Sequence, residues 1–249
     1  MKKLSIITIC YNEPKLQQTC ENIINQTFQD FEWIVIDGGS NQKTLGIFAK
    51  YKKRIDYFIS EKDHGIFDAQ NKGIKQARGL WVNFMNAGDY FAENNTLQEL
   101  ANNFDRYCEY DVLHGRIKLY GLGKLHGIRG FGDDEINKEF WLNNTLPHQA
   151  MFYKRTLFEK HGYFSTKYKI CSDIEHNIRL YLSGCTFKSI DCLVAFYDNT
   201  GLSSVYPDVM REELKELKSK YYSEQEIEQS SRKQLQKMAD TVRQNIKRG

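Results

Sequence analysis

The first ninety residues alternate between short apolar runs and segments in which apolar residues recur every three or four positions. Continuous apolar runs are typical of strands buried on both faces, and the longer spacing is typical of amphipathic helices. The predicted strands cover residues 4–9, 31–36, 55–59 and 80–85, and the predicted helices cover residues 16–24, 44–51 and 67–77. This alternation predicts an α/β fold with a doubly wound, mostly parallel sheet.

The pattern is looser after residue 90, where we still expect one α/β domain to continue as far as residue 206. Five glycines between residues 121 and 132 predict a flexible connection. Residues 199–201 predict a turn, and residues 207–249 predict a charged helical tail. The other predicted elements are helices at 97–107 and 172–182 and strands at 111–119, 150–153, 187–190 and 192–197.

Three of the predicted strands end in polar, turn-forming clusters, and each cluster contains one carboxylate, from Glu13, Asp37 or Asp89. The carboxyl ends of parallel strands converge on one crevice, where such sheets bind ligands. Asp89 follows a rigid apolar strand and is well placed to hold a divalent cation against a diphosphate. The alternative role for Asp89 is to cap the helix that begins near Asn94.

Composition and charge narrow the class of protein. The chain of 249 residues is 41% hydrophobic and 27% charged, which suits a folded domain with a polar surface, and its net charge of +3 does not favour nucleic acid as a partner. The six cysteines form no CxxC pair and are typical of free thiols in a reducing compartment. No apolar run is long enough to cross a bilayer, and residues 4–10 lack a signal-peptide cleavage site, so we expect a cytoplasmic protein.

Six segments in order resemble family 2 of the inverting nucleotide-sugar glycosyltransferases, which have the GT-A fold. They are LSIITICYNE, NQTFQDFEWIVIDGGS, SEKDHGIFDAQNKGIKQARG, FMNAGD, PHQAMFYKRTLF and CSDIEHNIRL. The DGGS and NAGD variants look most like bacterial members that build colanic acid, capsule and O-antigen. The resemblance implies a nucleotide-binding half at 1–90 and an acceptor half at 91–206, and it leaves the tail unexplained.

The resemblance also implies roles for individual residues. Asp173 matches the catalytic base, and Asp89 matches the carboxylate that reaches a Mn²⁺ or Mg²⁺ ion. His148 and Gln149 are expected near the acceptor, although a buried, satisfied histidine is the commoner use of such a residue. The implied nucleotide-binding residues are Ile9, Tyr11, Asn12, Glu13, Asp37, Asn71, Lys72, Asn86 and Gly88.

Four positions depart from the family pattern. Gly38 replaces the second Asp of Asp-Asp-Gly-Ser, which recognises the edge of the base. Asn86 replaces the first Asp of the metal motif, so the site carries less negative charge. Gln70 replaces an Arg near the phosphates, and Ser172 replaces the Glu before the catalytic Asp.

The expected reaction is metal-dependent transfer of a hexose or N-acetylhexosamine from a nucleotide sugar, with UDP favoured, to a saccharide or lipid-linked acceptor. Two alternatives come from other classes. A nucleotidyltransferase would need a glycine-rich phosphate loop after the first strand, and YNEPK is not one. A non-catalytic module that binds a sugar nucleotide or a partner is the other alternative.

Several of these side chains also have ordinary structural uses. Asp173 could be the N-cap of its helix, Asp37 could build an Asx turn, and Tyr11 could be core packing. Asp63 and Asp68 are more typical of solvated turn and helix positions.

The tail carries a narrow apolar stripe formed by Leu235, Met238, Val242 and Ile246. From residue 232 onward six basic residues surround it, against one acidic residue. Such a helix can lie on an anionic membrane, which predicts peripheral contact with the inner face of the cell membrane. The alternative is a helix that forms a homodimer or packs back on the domain.

Overall fold

The computed structural model describes residues 2–121, 124–198 and 201–248. Within these ranges nine strands form one sheet, and ten helices and two short 3₁₀ turns surround it. The strands are β1 (Leu4–Cys10), β2 (Phe31–Asp37), β3 (Tyr57–Ser60), β4 (Trp81–Phe84), β5 (Tyr90–Phe91), β6 (Val112–Gly121), β7 (Lys124–Arg129), β8 (Met151–Lys154) and β9 (Phe187–Asp198).

The helices follow the strands in the order that a doubly wound fold requires over the first half of the chain. The 3₁₀ turns cover Asp133–Glu135 and His148–Ala150. The helices are α1 (Leu16–Ile24), α2 (Gln42–Lys50), α3 (Ile66–Gln76), α4 (Thr96–Arg106), α5 (Phe140–Asn143), α6 (Thr156–His161), α7 (Ser172–Leu182), α8 (Leu202–Val205), α9 (Pro207–Tyr221) and α10 (Glu224–Arg248).

The sheet order is β3-β2-β1-β4-β8-β6-β9-β5, and β7 pairs with β6. The first four strands are parallel, and Leu4 at the start of β1 lies between Phe31 of β2 and Trp81 of β4. The second half is mixed, with β8 antiparallel to both β4 and β6. The predicted α/β class with a parallel sheet is confirmed, and the carboxyl ends of β1, β2 and β4 are neighbours.

The two faces of the parallel half pack into separate hydrophobic cores. Ile7 and Ile34 belong to one core, whereas Ile6 and Trp33, one position away on the same strands, belong to the other. Successive side chains of a strand point to opposite faces, so a strand covered on both sides must be apolar throughout. This is why β1 and β2 appear in the sequence as unbroken apolar runs.

A buried carboxylate fixes the amino end of the sheet. Glu32 on β2 is 8% exposed and accepts hydrogen bonds from the Ser5 hydroxyl at 2.6 Å and from the Gly79 backbone N–H at 2.9 Å. The Ser5 hydroxyl also accepts from the same N–H at 2.9 Å. The chain therefore enters β4 at a fixed point beside β1, and this sets the position of the loop after β4.

Several predicted elements differ from the structure. The glycine-rich connection at 121–132 contains β7, an edge strand paired antiparallel to β6 across a bulge, and the sequence did not predict this strand. The two short strands at 187–197 are one strand, β9, in which two register shifts accommodate the polar break near Asp191. The predicted turn at 199–201 begins at Asn199 and Thr200, which lie outside the described residues.

The prediction that the chain from residue 207 is an appendage is corrected by the packing of α9. Leu217 and Tyr222 are buried, at 1% and 6% exposure, and they belong to the same core as Ile7 and Phe84. Helix α9 is therefore part of the domain. The sequence did not predict this because most of its residues are charged, and only its few apolar residues face the core.

The far part of α10 retains the predicted exposed stripe. Leu235, Met238 and Val242 are 67%, 66% and 57% exposed, and the side chain of Ile246 lies outside the described residues. Among the described residues no helix is long and apolar enough to span a membrane. Contact of this stripe with a membrane surface or with a second copy stays a prediction.

We predict that Gly79→Ala destabilises the protein, whereas Gly46→Ala does not. A Cβ at Gly79 would lie 2.6 Å from backbone atoms of both Leu4 and Ser5, and overpacking of this kind costs ~1–3 kcal/mol. A Cβ at Gly46, inside α2, meets nothing within 4 Å and should stabilise the helix by ~0.5–1 kcal/mol. Urea unfolding measures both, and equal stability of the two variants would contradict the packing of Gly79 against β1.

Candidate active site

The loops that follow β1 and β2 are clamped together by Asn12. This residue has a φ of 52°, in the left-handed region that asparagine tolerates better than most residues. Its backbone N–H donates to the Ser40 hydroxyl at 2.8 Å, and its side-chain oxygen accepts from the Asn41 backbone at 2.8 Å. The two loops therefore form one rigid wall at the carboxyl edge of the sheet.

Asp37 is fully buried at the end of β2 and uses only one of its two oxygens within the protein. Oδ2 accepts from the backbone N–H groups of Gly39 and Ser40 and from the Ser60 hydroxyl, at 3.2, 2.9 and 2.6 Å. Oδ1 has no hydrogen-bond partner. The Asx-turn role is thus real, and one buried acceptor oxygen is left without a partner, which is costly for a polar atom.

Tyr11 and Glu13 flank the same edge. Tyr11 is 68% exposed, so the alternative of ordinary core packing does not apply. Glu13 lies against Gly88, where an added Cβ would come within 3.4 Å of its carboxyl carbon. The carbonyl of Ile9 accepts from the Ala87 backbone at 3.0 Å, which joins the loop after β4 to β1.

Asp89 is held in a tight turn after β4. Its backbone N–H donates to the Asn86 carbonyl at 3.0 Å, and Gly88 has a φ of 99°, which favours glycine. The Thr19 hydroxyl accepts from Gly88 N–H and donates to the Asp89 carbonyl, at 2.9 Å each. The next helix, α4, begins after Asn95 and is separated from this turn by β5, so Asp89 is not its cap.

The 3₁₀ turn before β8 bridges Asp89 and Asp173. The Gln149 amide donates to Oδ2 of Asp89 at 3.1 Å, and Nδ1 of the neighbouring His148 lies 3.7 Å from Oδ2 of Asp173. The His148 ring stacks on Phe84 of β4, with ring centroids 4.9 Å apart. Two carboxylates that lie 84 positions apart in the sequence therefore face two adjacent side chains, one of which is hydrogen-bonded to Asp89, while Nδ1 of the other lies near Asp173 without a hydrogen-bond partner.

Asp173 lies in the first turn of α7, whose N-cap position is Cys171, so Asp173 is not the cap. Burial raises the pKa of the Asp173 carboxyl from 3.8 to about 6, against the lowering effect of nearby backbone N–H groups. A carboxylate with this pKa is ionised at neutral pH and can accept a proton. The prediction that Asp173 has a pKa suited to a general base is consistent with this environment.

His148 is neutral at pH 7 because burial lowers its pKa to about 4. Its Nε2 lies 3.0 Å from the side-chain nitrogen of Gln70, which also lies 3.4 Å from the side-chain oxygen of Asn86. With the Gln70 amide donating, Nε2 is the acceptor and the ring proton sits on Nδ1, facing Asp173. Gln70, which replaces an arginine of the family pattern, thus orients the histidine.

Asn71 and Lys72 both have partners within the protein. The Asn71 amide donates to the Phe164 carbonyl at 2.8 Å and accepts from the Phe164 N–H at 3.0 Å, so both of its polar groups clamp the chain before α7. The Lys72 ammonium pairs with Glu61 at 2.7 Å and lies 3.5 Å from Asp68. In this structure both residues support the walls of the site.

Asp63 is the residue that the sequence undervalued. An added Cβ at Gly38 would lie 2.5 Å from Oδ2 of Asp63, so this carboxylate occupies the space beside Gly38. Its other oxygen accepts from the Gly65 backbone at 3.0 Å, which holds the group in place. The sequence did contain one signal for Asp63. The DGGS turn lacks the second Asp of the family pattern, and a carboxylate from a neighbouring loop can occupy the space that this Asp would fill.

The described residues contain no group of three or more His, Cys, Asp and Glu side chains that could hold a metal ion on their own. Asp89 supplies one carboxylate, and Mg²⁺ is commonly bound by one or two carboxylates together with substrate phosphates and water. The donor set therefore fits a metal that arrives with, and is shared by, a diphosphate.

Comparison with known proteins identifies the family. The model of Glycosyl transferase family 2 matches residues 5–162. A PGL/p-HBAD biosynthesis glycosyltransferase of Mycobacterium bovis is 30% identical over 202 residues, which cover 79% of this chain and 77% of the relative.

Solved structures give the same fold. S. aureus TarS 1–349 in complex with UDP is 26% identical with a TM-score of 0.63, covering 85% of this chain and 64% of that chain. The mannosyltransferase PcManGT from Pyrobaculum calidifontis, in complex with GDP-Man and Mn²⁺, is 15% identical with a TM-score of 0.67, covering 88% and 63%. The chain also spans 39% of the longer TarS chain.

The sheet order agrees with these matches, and the matches set aside the nucleotidyltransferase and the non-catalytic module. The chain belongs to glycosyl transferase family 2, and its activity is glycosyl transfer.

Proposed function

We propose that the protein is an inverting, metal-dependent glycosyltransferase that moves a hexose or N-acetylhexosamine from a UDP-sugar to a saccharide or lipid-linked acceptor in bacterial surface polysaccharide synthesis. The observation that carries the proposal is the position of the adjacent residues His148 and Gln149 between the two carboxylates: Gln149 hydrogen-bonds to Asp89, and Nδ1 of His148 lies 3.7 Å from Asp173. It supports a donor phosphate beside Asp89 and an acceptor hydroxyl beside Asp173, with the reacting carbon between them.

The chemistry follows from these two positions. Asp173 accepts the proton of the acceptor hydroxyl as the hydroxyl oxygen attacks the anomeric carbon. The bond from that carbon to the phosphate oxygen breaks, and the nucleoside diphosphate leaves with the electron pair. Attack from the face opposite the leaving group inverts the configuration. A positioned general base contributes typically ~10²–10⁴-fold to such a step.

A Mn²⁺ or Mg²⁺ ion bound with the diphosphate would neutralise charge on the leaving group as a Lewis acid. The residue that would hold it is Asp89, whose carboxylate is oriented by the Gln149 amide. Asn86, in place of a carboxylate, leaves this protein with a single charge for the metal. PcManGT, a structural neighbour, is described with Mn²⁺, which supports the assignment.

The donor base is expected between Tyr11 and the loop after β2. The exposed Tyr11 residue offers a stacking surface, and the carboxylate of Asp63 beside Gly38 offers an acceptor; the unpartnered Oδ1 of Asp37 is buried at the end of β2. Uracil presents one N–H donor at its N3 edge, which an ionised carboxylate would accept. Binding of UDP by TarS supports the same base here.

We predict that UDP binding strengthens with Mn²⁺ or Mg²⁺ and that Asp89→Ala removes this gain, because the variant lacks the metal-binding carboxylate. Isothermal titration calorimetry with UDP, with and without EDTA, measures both effects. Asp191→Ala, which removes an exposed carboxylate on β9 paired with Arg116, is the matched control and should bind as the wild type does. Equal affinity for UDP in EDTA would contradict the metal role.

We predict that Asp173→Asn reduces transfer at least ~100-fold while UDP binding stays within twofold, because a base acts on the acceptor side. Product formation from UDP-GlcNAc and other UDP-sugars, with saccharide and lipid-diphosphate sugar acceptors, is measured by mass spectrometry. In the wild type, activity should fall as the pH drops through about 6, where Asp173 gains its proton. A variant that keeps more than about a tenth of the turnover would contradict the assignment.

The same substitution should stabilise the fold at neutral pH. The pKa of Asp173 is raised on folding, so ionisation of its carboxyl lowers the free energy of unfolding. This loss of stability grows as the pH rises from 3.8 to about 6 and is fully present above that. Asp173→Asn should therefore raise Tm at pH 7.5 and lose this advantage near pH 4.

We predict that the base-recognition carboxylate can be moved from Asp63 to position 38. Asp63→Ser should weaken UDP binding about tenfold, the scale of a hydrogen bond to a charged group, and Gly38→Asp alone should weaken it by crowding Asp63. The double variant restores one carboxylate at the same place and should bind better than either single variant. Unchanged UDP affinity in Asp63→Ser would overturn this assignment.

A further inference from the structure

Glu213 of α9 binds the backbone immediately before the helix that carries Asp173. Its carboxylate accepts three consecutive N–H groups, from Lys169 at 2.6 Å, Ile170 at 3.0 Å and Cys171 at 2.9 Å. Cys171 is the N-cap residue of α7, and its own side chain makes no capping hydrogen bond. One of the orphan donors at this helix start, the N–H of the N-cap residue Cys171, is thus satisfied by a carboxylate from a distant part of the sequence, where the helix dipole favours negative charge.

Asp173 follows Cys171 by two residues, so the contact fixes the backbone from which the carboxylate projects. Neighbouring contacts do not duplicate it. Glu216, one turn further along α9, pairs with Lys167 and accepts from the Tyr168 hydroxyl at 2.9 Å, before the segment that Glu213 binds. Lys220 and Tyr221 of α9 also reach the first turn of α7, but they bind the side chain of Glu175, whereas Glu213 binds the backbone that leads into Asp173.

Glu213 also affects the charge of Asp173. Burial is the main cause of the raised pKa of Asp173, and the negative charge of Glu213 raises it further. The other titratable groups that face Asp173 are His148, Tyr153 and Cys171. Nδ1 of His148 lies 3.7 Å away, and the charge of Asp173 contributes to the raised pKa values of Tyr153 and Cys171. His148 is neutral, so Glu213 is the charged group of this set.

We propose that Glu213 is a positioning residue for Asp173 and that α9 is consequently part of the catalytic apparatus. This inference rests on the proposed role of Asp173 as base. It places a functional element 51 positions beyond residue 162, where the match to the family model ends.

The test compares Glu213→Gln with Glu216→Gln. Glutamine at 213 keeps one acceptor oxygen and presents an NH₂ group to backbone donors, so we expect turnover of UDP-sugar to fall at least tenfold while UDP affinity stays within twofold. The acid limb of the pH profile should move to lower pH, because a like charge is removed. Titration of the Asp173 carboxyl by NMR should show a lowered pKa in Glu213→Gln, and this readout does not depend on turnover. The protein carries ¹³C-labelled aspartate, and Asp173→Asn assigns the signal.

Glu216→Gln changes the same charge on the same helix and should leave turnover, pH profile and titration unchanged. Glu213→Asp keeps the charge but shortens the reach, so it should lower turnover and leave the acid limb near its wild-type position. If Glu213→Gln behaves like Glu216→Gln, the positioning role of Glu213 is overturned. The proposed function still stands in that case, provided that Asp173→Asn is inactive. If Asp173→Asn is active, the proposed function itself fails. If neither Glu213 variant folds, Glu213 is a requirement of the fold, and the positioning role is also overturned.

Discussion

The burial of β1 on both faces, between β2 and β4, is the constraint on which the site depends. Because both neighbours run parallel to β1, their carboxyl ends and the loops that follow must meet at one edge of the sheet. Glu32 fixes the other end of the same three strands by binding Ser5 and Gly79. With both ends fixed, Asp37 and Asp89 can be held within narrow limits.

The second half of the chain completes the site by bringing Asp173, the proposed base, to this edge. The antiparallel strand β8 pairs with β4, and the 3₁₀ turn just before it places His148 and Gln149 against the loop after β4. Gln149 orients Asp89, while His148 stacks on Phe84 and faces Asp173. His148 is neutral and Gln149 carries no charge, so these contacts leave the negative charges of Asp89 and Asp173 available for the proposed metal and proton transfer.

The sequence predicted the parallel half well because strands buried on both faces leave unbroken apolar runs, as β1 and β2 do. It could not predict contacts that depend on tertiary packing. Asn71 matched a phosphate-side motif, but its buried amide is satisfied by the backbone of Phe164. Helix α9 looked like a solvated tail because charge dominates its composition, yet Glu213 binds buried backbone donors. Asp63 was read as a solvated turn residue because only the structure shows it beside Gly38.

Paramagnetic relaxation of backbone amide signals by Mn²⁺ bound with UDP tests the location of the donor site most directly, with Mg²⁺ and UDP as the diamagnetic reference. Strands of seven residues separate their two ends by ~20 Å, and the effect falls steeply with distance. We expect strong broadening at the carboxyl ends of the parallel strands, at Cys10, Asp37 and Gly88, and weak broadening at their amino ends, at Leu4 and Phe31. Equal or stronger broadening at the amino ends would contradict a nucleotide site at this edge of the sheet.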